Sequence, residues 1–155
     1  MFPTATYADR RGRLRDRLDT GLVLLLGNAE SPMNYADNCY AFRQDSSFLY
    51  FAGLDQPDLA AVIDLDSGEE TVFGDELTID HIVWMGDQPT LRERAARAGV
   101  ERTRPRADLA GVITTAAAAG RIVHTLPPYR AENRALLQAL LGTADPAPSV
   151  VLIRG

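Results

Sequence analysis

Several kinds of hydrophobic spacing follow one another along this chain. Tyr7, Leu14 and Leu18 fall on one helical face behind Thr6-Tyr7-Ala8-Asp9, a capping-box pattern, which predicts a first helix stopped by Gly21. Residues 22–26 are uninterrupted apolar positions (Leu22, Val23, Leu24, Leu25, Leu26), the pattern of a strand buried on both faces. From Gly27 to Ala41 the chain is polar and rich in turn formers (Asn28, Ser31, Pro32, Asn34, Asp37, Asn38). That predicts a long loop, of the kind that carries function or forms an interface. Aromatic residues then crowd into 47–53 (Phe48, Tyr50, Phe51), predicting a second strand.

Residues 59–65 and 70–73 read as two strands joined through Asp66-Ser67-Gly68, a hairpin turn. Thr90-Leu91-Arg92-Glu93 is a second capping box, opening a helix that Gly99 ends. A short strand is expected over 100–104. Leu109, Val112, Ile113 and Ala116 then mark a helix from about Asp108 to the stop at Gly120. Residues 121–124 read as a strand, and Leu136, Leu137, Leu140 and Leu141 as a last helix closed by Gly142. Residues 144–148 resemble a linker and 150–153 an extended segment. This order predicts one α/β domain over residues 1–155, with a mixed central sheet flanked by helices. Parallel pairs need helical crossovers, whereas the hairpin adds an antiparallel pair.

Composition narrows the function. A net charge of −5 argues against a nucleic-acid partner, whose phosphates demand clustered positive charge. Arg10, Arg11, Arg13, Arg15 and Arg17 crowd the first helix, and the expectation for them is a solvated face or a partner contact. All 16 basic residues are arginine. The absence of lysine excludes a phosphate-binding loop, Schiff-base chemistry and a kinase-type ATP lysine. Cys39 is the single cysteine, which rules out an internal disulfide and fits a reducing compartment. The longest apolar run is far below the roughly 20 residues of a membrane span, and Met1-Phe2-Pro3-Thr4 is unlike a secretion signal. The expectation is a soluble, cytoplasmic protein with no membrane partner.

Catalytic patterns are scarce. There is no G-x-S-x-G elbow, no G-x-G-x-x-G turn after residues 22–26, no C-x-x-C and no H-E-x-x-H. The densest polar cluster, Asp75-Glu76-Leu77-Thr78-Ile79-Asp80-His81, has metal-binding residue types, but a solvated loop or short helix explains it better. Cys39 lacks an obvious group to activate its thiol. His124, at the end of an apolar strand, is expected to be a hydrogen-bonded structural residue. From the residues alone, this is an α/β domain without a recognisable active site.

Residues 42–53 add more. Phe42-Arg43-Gln44-Asp45-Ser46-Ser47-Phe48-Leu49-Tyr50-Phe51-Ala52-Gly53 closely resembles the aromatic-Arg-Gln-x-Ser-x-Phe-x-Tyr-Phe/Leu-x-Gly signature of the aminopeptidase P N-terminal domain. Tyr7 to Arg11 with Leu14 is similar to that family's opening helix, and residues 21–26 to its first buried strand. Leu54-Asp55-Gln56-Pro57-Asp58 resembles its acidic-Pro turn, and Ile82-Val83-Trp84-Met85-Gly86 its Trp-x-Gly segment. The physical reading of the signature is mainly structural. Phe48, Tyr50 and Gly53 suit a strand and its turn, and the side chains of Gln44 and Ser46 satisfy backbone groups where the loop enters the strand. Arg43 offers a planar fork to a carboxylate, Asp37 or Asp45.

The resemblance implies the creatinase/prolidase N-terminal fold, with its ribonuclease H-like motif. It also implies that a separate pita-bread catalytic domain, absent from this chain, holds two divalent metal ions, usually manganese, and cleaves the N-terminal residue from Xaa-Pro peptides. No catalytic residue, metal ligand or cofactor is then expected here. The implied partners are the chain's own catalytic domain and neighbouring subunits of a homodimer or tetramer, where Trp84 and Asp37 help wall a neighbour's substrate pocket. Alternatives are a prolidase- or creatinase-type enzyme, which Arg43-Gln44-x-Ser46 disfavours, and a free-standing interaction module. A small-molecule-binding domain using the cleft after Leu26 is weakened by the missing glycine motif.

Overall fold

The computed structural model describes residues 2–35, 38–76, 86 and 88–142. Its elements are α1 (Thr4–Arg15), β1 (Leu22–Leu26), α2 (Ser46–Ala52), β2 (Ala60–Asp64), β3 (Glu70–Phe73), α3 (Leu91–Arg97), β4 (Arg102–Arg104), α4 (Asp108–Ala118), β5 (Val123–Thr125) and α5 (Ala131–Leu141). The sheet order is β4-β3-β2-β1-β5. β1–β2 and β2–β3 are antiparallel, whereas β1–β5 and β3–β4 are parallel. This is the mixed, helix-flanked α/β architecture read from the sequence.

The alternation of a strand explains the layering. Val23, Leu25, Ala61, Ile63 and Val72 face one core, with Leu14 of α1, Phe48 and Phe51 of α2, and Leu91 and Ala95 of α3. Leu22, Leu24, Ala60, Val62 and Phe73 face the other, against Leu109 and Ile113 of α4 and Leu137 and Leu140 of α5. β1 is therefore covered on both faces, which is why it carries no polar residue. The 66–68 turn is stabilised by Asp64, whose Oδ1 accepts from the Asp66 and Ser67 N–H groups.

Four expectations need correction. Residues 47–53 are not a strand: α2 spans Ser46–Ala52. Asp45 caps it, accepting from Ser47 N and Phe48 N at 2.9 Å each, and Gly53 ends it at φ 68°. Its buried residues are Phe48, Phe51 and Ala52, at i, i+3 and i+4, whereas the alternate position Tyr50 is exposed. Local capping and helical spacing thus outweigh aromatic β-propensity. The Thr6 capping box does not form, because the N-cap of α1 is Pro3, three residues earlier, without a side-chain cap. That helix ends at Arg15, and Gly21 leads into β1 instead of stopping it. Finally, the first-helix arginines are not simply a solvated face. Arg11 is 2% exposed. The second capping box does form, with Glu93 N donating to Thr90 Oγ1 and Thr90 N to Glu93 Oε2. Residues 144–153 lie outside the described residues.

Candidate functional site

Gln44 organises the region after β1. Its buried Oε1 accepts from the backbone N–H groups of Asn28 (2.7 Å) and Asp45 (2.8 Å). Its Nε2 donates to the Gln56 carbonyl at 2.6 Å. One carboxamide thus joins the start of the long loop, the N-terminus of α2 and the turn that precedes β2. The base of the loop is further fixed from the α5 side. Arg130 Nη1 donates to the Ala29 carbonyl (2.8 Å) and Nη2 to Ser31 Oγ (2.5 Å), while Asn133 Nδ2 donates to the Gly27 carbonyl (3.3 Å).

Beyond that base the chain folds back on itself. Met33 N donates to the Asn38 carbonyl, Tyr40 N to the Ser31 carbonyl, and Pro32 bridges Cys39. Met33, Tyr35 and Tyr40 are exposed on this arm. These three side chains give a partner apolar surface to cover on one short arm.

A cleft of about 570 Å³ opens at the C-terminal ends of the parallel pair β1 and β5. Its polar lining includes Asn28, Arg43, Gln44, Tyr129 and Arg130, and its apolar walls include Leu126, Pro127 and Pro128. The first turn of α5 borders it, with no side-chain cap on the helix. Asn28 is unusual here. It is 4% exposed. Its Nδ2 donates to the Arg43 carbonyl (2.9 Å) and the Tyr129 hydroxyl (3.2 Å), yet its buried Oδ1 has no hydrogen-bond partner. An unpaired buried acceptor costs about 1–3 kcal/mol, and most such groups in folded proteins are paired.

The sequence-selected residues divide between these features. Phe48 is fully buried in the first core, and Gly53 lies against the Tyr7 ring. Tyr50 stacks under the Arg10 guanidinium, 4.0 Å from its ring centroid, and its carbonyl accepts from Arg10 Nη1. Gln44 satisfies backbone groups as expected, but the helix-capping role belongs to Asp45 and not to Ser46, the exposed first residue of α2. Arg43 is exposed and makes no ion pair with Asp45. Asp37 and Trp84 lie outside the described residues, as do Asp80 and His81.

Other polar groups have structural partners. Asp75 accepts from Arg106 N, and Glu76 accepts from Leu91 N at the start of α3. Burial pulls the Arg106 guanidinium below its ordinary range, against the opposing pull of Asp58 and Asp75. Among the described residues, no group of three His, Cys, Asp or Glu side chains could hold a metal ion. The Cys39 thiol lies 3.7 Å from Glu30 Oε2, and His124 Nε2 is 3.0 Å from the Thr20 carbonyl.

Two networks escaped the sequence reading. Buried Arg11 links Glu70 Oε2 (2.7 Å) to the carbonyls of Phe51 (2.8 Å), Ala98 (3.0 Å) and Gly99 (3.3 Å). Arg121 forks onto Asp64 (2.7 and 3.1 Å) and also bonds Asp66. Hydrogen bonding from Arg121 pulls the Asp64 carboxyl below its ordinary value, against the opposing effect of burial. The Thr20 hydroxyl, followed by Arg121, does the same for Asp66. Nothing in local spacing marks these arginines apart from their neighbours. Asn28 and Arg130 were likewise invisible as a pair, because 101 residues separate Arg130 from the Ala29 carbonyl it binds.

Comparison with known proteins places this arrangement. The human Xaa-Pro dipeptidase is 35% identical over 91 residues, covering 54% of this chain and 18% of that protein. A probable Xaa-Pro aminopeptidase of Aspergillus clavatus is 30% identical over 110 residues, covering 71% of this chain and 22% of that protein. The chain therefore spans about a fifth of the length of these relatives. Escherichia coli aminopeptidase P, solved as a variant in complex with substrate, superposes with a TM-score of 0.74 at 20% identity. That superposition covers 91% of this chain and 33% of the solved one. A zinc-substituted form of the same enzyme, in complex with product, superposes equally well at 0.74. The family profile described as "Aminopeptidase P, N-terminal domain" matches residues 7–124, and the chain belongs to that family.

Proposed function

We propose that this chain is the non-catalytic N-terminal domain of a cytoplasmic, metal-dependent Xaa-Pro aminopeptidase, and that it supports assembly and walls the substrate pocket of a neighbouring subunit. The family match over residues 7–124 carries the reading. The parent enzyme removes the N-terminal residue from Xaa-Pro peptides, and two divalent ions, manganese by preference, sit in its catalytic domain.

The arm over Met33, Tyr35 and Tyr40 supports an interface role, because its base is held by Gln44 and Arg130 while its aromatic side chains remain exposed. Asp37 sits in this same stretch of sequence. Trp84 contributes a flat indole suited to a proline ring. A prolidase-type parent is the second reading, favoured by the 35% identity to human Xaa-Pro dipeptidase.

Steady-state kinetics on Xaa-Pro peptides with Mn²⁺ test the proposal by comparing the 155-residue chain with its full-length parent. Activity in the parent alone is expected. In the parent, Trp84→Ala is expected to lower kcat/KM about tenfold, as for the loss of one transition-state contact of roughly 1.4 kcal/mol, with metal content unchanged. Hydrolysis by the isolated chain overturns the non-catalytic assignment, and unaltered kinetics in Trp84→Ala overturn the pocket role. Preference for Xaa-Pro dipeptides over longer peptides selects the second reading.

A further inference from the structure

We propose that the groove between α1 and α2 docks an extended acidic segment of a partner protein, whose carboxylates meet Arg10, Arg13 and Arg17. Arginines crowd α1 and the turn that follows it, and they divide by partner. Arg11 and Arg15 both reach Glu70. Arg10, Arg13 and Arg17 form no ion pair among the described residues. They stand at i, i+3 and i+7, on one flank of the helix, because the bonds from Arg17 N to Leu14 O and from Leu18 N to Arg15 O continue its course. All three line one pocket of about 140 Å³, together with the buried side chains of Leu14 and Phe51 and the ring of Tyr50. Among the described residues, that lining contains no carboxylate. Asp9 and Asp16, the acids nearest to Arg13 in sequence, lie outside it.

One of the three is ordered in advance. The Arg10 guanidinium lies 4.0 Å from the Tyr50 ring centroid and 4.9 Å from that of Phe2, and its Nη1 donates to the Tyr50 carbonyl. A partner's acid therefore meets a planar fork whose rotamer freedom is already spent. Length selects the ligand. From Arg10 to Arg17 the charges spread over roughly 10 Å of helix. A single carboxylate or phosphate covers only part of that line. An extended chain, advancing about 3.3 Å per residue, sets acids from alternate positions along it. Tyr50 and its neighbour Leu49 remain 40% and 39% exposed beside the arginines. Tyrosine and arginine are the side chains that most often anchor protein interfaces. Nucleic acid is the other linear polyanion, but a chain of net charge −5 with three guanidinium groups in one groove offers it too little positive charge.

This surface stands independently of the peptidase reading, because its test measures binding by the 155-residue chain and not hydrolysis. Amide chemical shifts are followed by NMR during titration with the N-acetylated, amidated peptide Glu-Ser-Glu-Ser-Glu and its neutral twin Gln-Ser-Gln-Ser-Gln. Inorganic phosphate and a short oligothymidylate are titrated in parallel. The acidic peptide is expected to saturate and to move residues 10–17 and 49–51. The neutral twin is expected to bind about tenfold more weakly, as for the loss of three exposed ion pairs. Arg13→Gln/Arg17→Gln, at two exposed positions, is expected to lower the affinity for the acidic peptide about fivefold. Arg92→Gln/Arg134→Gln removes the same charge from exposed arginines outside the groove and is expected to leave binding unchanged. Absence of saturable shifts in the groove, equal affinity for the two peptides, or an equal loss in both double variants overturns the proposal. Phosphate or oligothymidylate binding there as tightly as the acidic peptide also overturns it, and assigns the arginines to a small anion or to nucleic acid.

Discussion

Replacing Arg11 by methionine is the most demanding test of how this fold is held together. The guanidinium is 2% exposed and reaches three segments at once: Glu70 in β3, the C-terminal end of α2 through Phe51 O, and the turn after α3 through Ala98 O and Gly99 O. Methionine keeps most of the apolar stem and deletes every donor. Replacing a whole buried ionic group by hydrophobic residues is often neutral, but here the acceptors stay behind. The bonds to Phe51 O and Ala98 O are both buried, and each orphaned carbonyl costs about 1–3 kcal/mol. Arg15 lies 3.2 Å from the other Glu70 oxygen and keeps part of that carboxylate's charge compensated. The sum is a loss of about 3–5 kcal/mol, a large share of the roughly 5–15 kcal/mol typical of a domain. At a urea m value of about 1.5 kcal/mol/M, the unfolding midpoint falls by about 2–3 M. Arg11→Lys has one ammonium group for four acceptors and is expected to recover less than half of the loss. A midpoint shift below about 0.5 M for Arg11→Met, with m unchanged, refutes the reasoning.

Two further outcomes are expected. Gly53 and Gly142 both end helices at positive φ (68° and 72°), but a Cβ at Gly53 meets the Tyr7 ring at 2.6 Å, whereas nothing lies within 4 Å at Gly142. Gly142→Ala is therefore expected to cost about 1 kcal/mol and Gly53→Ala at least about 3 kcal/mol by chemical denaturation; equal costs contradict the contact with Tyr7. The Arg121 network predicts a pH dependence. Asp64 and Asp66 have folded-state pKa values below the ordinary 3.8, so their stabilisation is complete above that value and disappears as pH falls through the lower folded ones. The stability gap between wild type and Arg121→Gln should thus be widest near about pH 7 and shrink towards about pH 3, and a gap constant across that range contradicts the assignment.

Much of the fold was legible because it rests on local patterns. Residues 22–26 read as a doubly covered strand, and β1 is covered by both cores. The 66–68 hairpin, the Thr90 capping box and the glycine stops at Gly120 and Gly142 all carry their chemistry within a few residues. The error at α2 was also local. Asp45 followed by Phe48, Phe51 and Ala52 already held a cap and a helical period, but the density of aromatics suggested β-structure. At the candidate site, Gln44 was singled out correctly as a residue that satisfies backbone groups, while Asn28 and Arg130 were passed over.

By itself, then, the sequence determined the α/β order of elements, the hairpin and the family signature around Arg43 and Gln44, because capping, periodicity and turn chemistry act over a handful of positions. Tertiary structure alone decided which polar groups share a neighbourhood. Arg11 is buried and Arg13 exposed although they lie two residues apart on one helix, because only the former faces the carbonyls at the ends of α2 and α3. The parallel pairing of β1 with β5 sets Asn28 beside Tyr129 across 101 residues of chain, creating a cleft with one unpaired acceptor in its lining. A side chain's solvation depends on everything that packs around it, and that information is absent until the chain has closed on itself.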